Sequence, residues 1–282
     1  MIASWLLVDA SADAIGEIEL PVRFLGPTES GIVLGAVALL YGCFAAAQVV
    51  VARGGASHVI DTAGLTYADY ARQGFFQLLA VAALTLALLL GLRAATRDTT
   101  ARARLVLVVL GEVVVLLTLV IVGVAIVRLG LYEQAYGLTM LRFACTAVAW
   151  WLGAVFLLVG AAYAGLARHR RWIFATIVAS AAVLVLVLNA IDPESIVVRH
   201  NVERAAAIGK FDTDYLRELS DDAVPALVAA LPTLTEQDRA TVVRHLCVNP
   251  RGSRRVPDDR SGLDLNLAAT RAAEARATVC TR

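Results

Sequence analysis

Charged and aromatic side chains that flank long apolar segments are the residues best placed to do chemistry in this sequence. Carboxylates, guanidinium groups and a phenol at such positions could bind a ligand, a lipid head group or a protein partner if folding brings them together. Alternatively, they could form salt bridges and aromatic anchors that only fix the ends of helices. The five candidates are Asp69, Arg72, Glu133, Tyr136 and Arg142.

One carboxylate lies inside an apolar segment rather than beside one. Glu112 falls about two helical turns into the third such segment, where an ionised group costs free energy unless it is paired. It could be a ligand for a proton or a cation, or it could pair with a Thr or Gln of a neighbouring helix or reach toward the cytoplasmic face. No second acidic residue lies in any apolar segment, which argues against a proton relay.

The four cysteines fall into two groups. Cys43 and Cys145 lie within apolar segments and are interpreted as small core residues. Cys247 and Cys280 are the only cysteines in the polar C-terminal tail, and we predict a disulfide between them because the tail is expected to face an oxidising compartment. The alternative is two free thiols, which would favour a cytoplasmic tail.

The sequence contains no recognisable catalytic or metal-binding motif. The zinc-protease His-Glu-x-x-His, the phosphate-binding Walker loop, the Gly-x-Ser-x-Gly elbow and Cys-x-x-Cys are all missing, so no catalytic residue, metal or cofactor is indicated. The net charge of +1 gives no reason to expect a nucleic acid as partner. The expected partners are membrane lipids and a protein that binds the C-terminal domain.

Five apolar segments must position these residues, and each is long enough, or nearly so, to cross a bilayer core of about 30 Å as a helix. Hydrophobic residues make up 59% of the 282 positions and charged residues 17%, which is typical of membrane proteins. We therefore predict an all-α, polytopic membrane bundle followed by a small α-helical extramembrane domain. The segments are Gly31–Ala52, Gly74–Leu92, Leu105–Val127, Phe143–Leu166 and Trp172–Ile191.

The predicted domain boundaries follow from these segments. Residues 1–30 form an amphipathic or interfacial segment, residues 31–191 the transmembrane domain and residues 192–282 the C-terminal helical domain. Loops 93–104 and 168–171 carry seven arginines, whereas loops 53–72 and 128–142 carry four. Positive residues accumulate in short cytoplasmic loops, so the first pair of loops is predicted to be cytoplasmic and the C-terminal domain extracytoplasmic. Three basic residues after the last segment oppose this orientation, namely Arg199, Arg204 and Lys210.

Local signals predict how the chain turns outside the spans. Segment 128–142 predicts a short interfacial helix that ends at Gly137, followed by a span that begins at Thr139. In the tail, Asp192-Pro193 predicts a helix to about Ala207. Further helices are predicted over Thr213–Leu219 and Ala223–Leu231, capped by Asp212 and by Asp221 or Asp222, then from Thr235 to about Leu246, and from Asp264 or Asn266 to about Thr278.

Several segments carry a resemblance to a known family. They read LTYADYARQGFFQL (65–78), RLGLYEQAYGLTMLR (128–142), GPTESGIVLG (26–35), NVERA (201–205) and YLRELSDDAVPAL (215–227). These segments resemble bacterial membrane proteins with a domain of unknown function, the families numbered 4153 and 4173. The resemblance implies further membrane segments upstream, so that the chain is similar to the C-terminal part of a longer architecture. It implies no known activity.

The sequence favours a structural, sensory or accessory membrane component with an outer interaction domain. The alternative is a transporter or channel subunit, which should show a polar cavity at mid-membrane or broken spans. A membrane enzyme that uses the outer polar site comes third, because only that site offers convergent polar groups.

Overall fold

The computed structural model describes residues 24–50, 67–97, 100–165, 170–209, 211–248 and 267–280. Within these ranges the chain forms α-helices and short 3-10 turns without any β-strand, which confirms the predicted all-α class. The helices are α1 (Pro27–Val50), α2 (Tyr67–Ala95), α3 (Ala101–Tyr136), α4 (Met140–Tyr163), α5 (Arg170–Ala190), α6 (Pro193–Ile208), α7 (Val224–Ala230), α8 (Glu236–Val248) and α9 (Leu267–Cys280).

Helices α1 to α5 are each long and apolar enough to cross a bilayer, and the protein is a multi-pass membrane protein. The five predicted spans are thus confirmed, with shifted ends. Helix α1 begins at Pro27 rather than Gly31, since proline is favoured in the first helical turn and Glu29 complements the positive end of the helix dipole there. Residues 1–23 of the predicted N-terminal segment lie outside the described residues.

Helix α3 is the central and longest element, and it packs against α1, α2 and α4. Its 36 residues extend for about 54 Å, which is longer than the bilayer core. The predicted short interfacial helix is therefore wrong: residues 128–136 are the last turns of α3, continuous with the span. The predicted break is correct, because α3 ends at Gly137, whose φ of 80° few other residues adopt.

The interior of the bundle is close-packed. Leu89, Val114 and Phe156, from three different helices, have no exposed surface. Close helix contact depends on small residues, because a Cβ on Gly111 would overlap the Tyr163 ring. The surface is apolar instead, with Leu186 of α5 68% exposed, as expected for side chains that contact lipid. Cys43 is also exposed, so its predicted place in the core is wrong.

The two ends of the bundle differ in what they carry. At the arginine end, which contains loop 93–104, Ser30 of α1 and Thr96 after α2 share a hydrogen bond of 2.8 Å. At the opposite end, the tail end, Arg128 of α3 donates to Gln48 of α1 at 3.0 Å. Helices α1 and α3 therefore run in the same direction, which is the alternation that five consecutive spans require.

The C-terminal domain has its own hydrophobic core, formed by α6 to α9. Val198, Leu227 and Val242 are at most 2% exposed. Nη2 of Arg276 in α9 donates to Oδ1 of Asp221 at 2.7 Å, which joins the last helix to the turn before α7. This domain packs against α4 of the bundle through α6.

The capping interactions in this domain confirm only some of the caps predicted from the sequence. Asp192 caps α6 and Thr235 caps α8, as predicted. The predicted helix over Thr213–Leu219 is only a short 3-10 turn, Tyr215–Glu218, although Asp212 does accept a hydrogen bond from its first N–H, at 3.1 Å. The predicted cap of α7 by Asp221 or Asp222 is wrong, because Ala223 occupies the N-cap position of α7 and no side chain caps it. Ser220 instead caps the 3-10 turn Asp221–Ala223 before α7 and accepts from the N–H of Asp222. Asp264 and Asn266 lie outside the described residues.

Candidate functional site

The C-terminal domain is attached to the bundle by hydrogen bonds to the turn between α3 and α4. Leu138 lies in this turn and is held by the side-chain amide of Asn201 in α6. Oδ1 of Asn201 accepts from the backbone N–H of Leu138 at 2.8 Å, and its Nδ2 donates to the carbonyl of Leu138 at 2.7 Å. The amide thus satisfies both backbone groups of one turn residue, as a paired strand would.

Two further residues of the domain complete this attachment, which we call the junction. Arg204 donates from Nε to the carbonyl of Gln134 at 2.9 Å. The hydroxyl of Tyr215 accepts from the backbone N–H of Met140 at 2.7 Å, so it satisfies one of the N–H groups left free at the start of α4. The junction consists of Gln134, Gly137, Leu138 and Met140 from the bundle and Asn201, Arg204 and Tyr215 from the domain.

Tyr215 lies in a mixed electrostatic environment at the junction. Burial raises the pKa of its phenol above the ordinary value, while the hydrogen bond from Met140 lowers it. Glu218 and Glu194 raise the pKa, and Arg142 lowers it. The phenol is therefore neutral at physiological pH and remains available as an acceptor.

Of the five residues predicted to form an outer polar site, three have described side chains. Oε1 of Glu133 accepts from the hydroxyl of Thr146 at 2.9 Å, which ties the end of α3 to α4. The guanidinium of Arg142 lies 4.1 Å from the centre of the Tyr132 ring. The ring of Tyr136 lies 5.2 Å from that of Tyr132 and is half exposed. Glu133 and Arg142 thus bind different groups rather than each other.

The remaining two predicted residues, Asp69 and Arg72, belong to α2, but their side chains lie outside the described part of the structure. The part of α2 that follows them nevertheless contacts the end of α3 and the start of α4. Phe75 is 2% exposed and belongs to the same hydrophobic cluster as Tyr132 of α3 and Cys145 of α4. The start of α2, the end of α3 and the start of α4 therefore meet at the tail end.

A cavity of about 240 Å³ opens where these three helices meet. Its wall is mostly apolar and aromatic, and it includes the polar side chains of Thr139 and Arg142. Arg142 also donates from Nη1 to the carbonyl of Gly137, so the residue that lines the cavity also contacts the turn held by the junction. The lining is Phe75, Phe76, Leu129, Tyr132, Thr139, Leu141, Arg142 and Cys145.

Glu112 lies near the opposite end of the bundle, between α3 and α4. Its Oε1 is buried without a hydrogen-bond partner among the described residues. Its Oε2 lies 3.4 Å from the position that a Cβ on Gly160 would occupy, so the glycine leaves room for the carboxyl group. Nearby on α4, the carbonyl of Ala162 accepts from Nη1 of Arg93 at 3.2 Å.

The predicted disulfide is present. Cys247 at the end of α8 and Cys280 at the end of α9 form a bond with Cα atoms 5.5 Å apart. The described residues contain no group of three or more His, Cys, Asp or Glu side chains that could hold a metal ion.

Sequence reasoning singled out the cavity's neighbourhood but missed the residues that form the junction. Asn201 and Tyr215 appeared only within family-like segments, without a role. No composition or spacing rule marks an asparagine that will bind a backbone turn 63 residues earlier. The available signal was the resemblance itself, because all junction residues come from three of the segments that carry it. These segments are RLGLYEQAYGLTMLR, NVERA and YLRELSDDAVPAL.

Comparison with protein families gives a match to a family model described as "Domain of unknown function (DUF4153)", over residues 2–230. The match ends at the last residue of α7, so it includes the junction and the cavity but not α8, α9 or the disulfide. Neither the curated proteins nor the solved structures include a match to this chain.

Proposed function

The chain belongs to the DUF4153 family, and we propose that it is an accessory or sensory membrane protein with an extracytoplasmic interaction domain. The single observation that carries this proposal is the junction. The domain is not a loose tail, because Asn201 and Tyr215 bind consecutive parts of the turn between two spans. Binding at the domain is therefore mechanically linked to α3 and α4.

The proposed orientation depends on two independent features. A disulfide between Cys247 and Cys280 is stable in an oxidising compartment and rare in the cytoplasm. The domain also lies at the end of the bundle opposite to loop 93–104, whose arginines are typical of a cytoplasmic loop. Both features support a domain outside the cytoplasm.

A groove on the domain offers a surface for a partner. It lies between α6 and α7 and has a volume of about 350 Å³. Arg199 and Glu203 supply charges of both signs on its α6 side, and Pro225 and Ala229 supply an apolar wall on its α7 side. This mixture suits a protein segment better than a strongly charged ligand.

The orientation is tested with one added cysteine at a time, in a chain whose Cys43 and Cys145 are replaced by serine and whose Cys247–Cys280 disulfide is kept. Arg239→Cys lies on the exposed surface of α8, and the matched control, Arg102→Cys, lies on the exposed start of α3. A membrane-impermeant maleimide should label the first in intact cells and the second only after permeabilisation. The reverse pattern would show that the domain is cytoplasmic.

The interaction role is tested by affinity purification of the full-length protein from native membranes. The wild type and a C247S/C280S variant are compared by quantitative mass spectrometry. A partner protein should be enriched with the wild type and lost with the variant. Identical sets of co-purified proteins would contradict a role for the domain in binding.

A transporter or channel subunit is the second candidate function, and the specific observation that favours it is the unpartnered Oε1 of Glu112. Carboxylates within the apolar part of membrane bundles often mark ion pathways, and Glu112 is a partly buried one. Reconstituted protein that moves protons or cations, with loss of transport in Glu112→Gln, would favour this alternative.

A further inference from the structure

We propose that the cavity between α2, α3 and α4 binds an anionic phospholipid, with the phosphate on Arg142 and part of an acyl chain against the aromatic wall. This site is independent of the side of the membrane that the domain faces.

The size and lining of the cavity suit part of a lipid rather than a whole small molecule. Its volume of about 240 Å³ is below the range of roughly 300–1,000 Å³ found for ordinary ligand pockets. Phe75, Leu129 and Leu141 line it with apolar surface, and Arg142 supplies the only charge among the described side chains of its lining. A lining of this kind matches a ligand that has a long apolar part and one anionic group.

Arg142 has the charge and the free donors that a phosphate needs. Its guanidinium is stacked on Tyr132 and donates through Nη1 to the carbonyl of Gly137. No carboxylate pairs with it among the residues that the structure describes, and the neighbouring Glu133 binds Thr146 instead. A guanidinium carries five N–H donors, so several remain for a phosphate, which arginine binds in a bidentate manner.

The surroundings of the cavity indicate that the ligand comes from the bilayer. Two of its lining residues, Phe76 and Leu141, also present 47% and 65% of their surface to the outside of the bundle. In a membrane protein, exposed apolar side chains of the spans contact lipid. The cavity therefore borders the lipid phase at a level where aromatic side chains, here Tyr132 and Tyr136, mark the interface.

The chain contains a natural reporter for this site and an internal reference. Cys145 lines the cavity, whereas Cys43 is an exposed, free thiol on α1. The full-length protein is placed in nanodiscs of phosphatidylcholine alone or of phosphatidylcholine and phosphatidylglycerol in equal parts. The rate of alkylation by N-ethylmaleimide, which is uncharged, is then measured at both cysteines by peptide mass spectrometry.

Phosphatidylglycerol should slow the alkylation of Cys145 by roughly tenfold relative to Cys43, the effect of one charge-assisted contact that holds the lipid in place. Equal ratios in the two kinds of nanodisc would overturn the proposal, and this comparison uses only the wild type. Protection by inorganic phosphate in phosphatidylcholine nanodiscs would also overturn it, because the ligand would then be a soluble anion.

Variants at Arg142 sharpen the result. Arg142→Gln should abolish the protection of Cys145, and Arg142→Lys should retain part of it, since lysine keeps the charge but not the bidentate geometry. Native mass spectrometry should show the same order in retained phosphatidylglycerol. An intact Cys247–Cys280 disulfide and unchanged elution on size exclusion verify the fold of each variant. Full protection in Arg142→Gln would contradict the assigned role of the guanidinium.

Discussion

The bundle and the C-terminal domain join their segments in different ways. In the bundle, neighbouring helices are linked by hydrogen bonds between side chains, such as that from Arg128 to Gln48 at 3.0 Å. The domain adds a covalent link, Cys247–Cys280, and a salt bridge between Arg276 and Asp221. The difference follows from the solvent around each part.

Lipid offers no hydrogen bonds, so each membrane helix must satisfy its backbone internally and can expose apolar residues outward. Water offers hydrogen bonds but demands an apolar interior, and a domain of this size buries too little surface to be strongly stable by itself. We therefore expect the domain to depend on its cross-links and the bundle to be insensitive to them.

Removal of the disulfide should have the largest effect. Cys247 and Cys280 are 33 residues apart, and opening a loop of that length costs a domain about 3–4 kcal/mol of unfolding free energy in the chain-entropy model. In C247S/C280S, hydrogen exchange measured by mass spectrometry should rise across α7 to α9 and stay unchanged in α3 and α4. Cys43→Ser is the control, since that thiol is free. Increased exchange in the bundle as well would mean that the two parts are not separately stabilised.

Gly137→Ala tests the connection between the two parts. The backbone at Gly137, with φ 80° and ψ 172°, lies in a region that is essentially restricted to glycine, and a Cβ there would lie 2.7 Å from Oδ1 of Asn201. We expect the junction to lose about 1–3 kcal/mol of opening free energy, measured as faster hydrogen exchange over residues 134–142 and in α6.

Gly130→Ala is the matched control for that substitution. Gly130 lies within helical α3, and nothing lies within 4 Å of a Cβ placed on it, so alanine there should be neutral or slightly stabilising. If both variants lose a similar amount of stability, then α3 tolerates no added methyl group, and the loss in Gly137→Ala is not specific to the junction.

Tyr215→Phe should have a smaller effect of about 1 kcal/mol, because the backbone N–H of Met140 loses one acceptor. The substitution also changes how the stability of the junction depends on pH. The folded-state pKa of Tyr215 is raised, so its contribution is fully present below the unfolded pKa of about 10 and is lost as the pH rises through the folded pKa. Hydrogen exchange of the junction, corrected for its intrinsic pH dependence, should show this alkaline loss in the wild type. If Tyr215→Phe shows the same loss of junction stability at alkaline pH, then another titrating group is responsible for that loss.

The parts that could be predicted from the sequence were those set by local or compositional signals. The five spans follow from apolar length, the end of α3 at Gly137 follows from the conformational freedom of glycine, and the start of α4 follows from Thr139, whose side chain accepts from the N–H of Arg142. The cysteine pair followed from its isolation in the polar tail.

The parts that could not be predicted depend on contacts between distant residues. Helix α3 continues past the membrane span to Tyr136, and near its end Glu133 accepts from Thr146 of the next helix, a contact that no local rule supplies. The use of Ser220 rather than an aspartate as a cap depends on Glu194, whose Oε2 accepts from both the backbone N–H and the hydroxyl of Ser220. The sequence left open whether the outer polar residues form a binding site or fix the ends of helices, and no local rule indicated that Arg142 stacks on the ring of Tyr132.

The pairing of Asn201 with Leu138 also has a consequence for the order of biosynthesis. The two residues are 63 positions apart, and α4 and α5 lie between them. The ribosome releases Leu138 first, but Asn201 can reach it only after this intervening helical hairpin has entered the membrane and returned the chain to the same side. The junction can therefore form only in a chain whose last two spans were inserted with the correct topology. A chain that failed to insert either one would carry its C-terminal domain on the wrong side of the membrane and leave the turn after α3 uncovered.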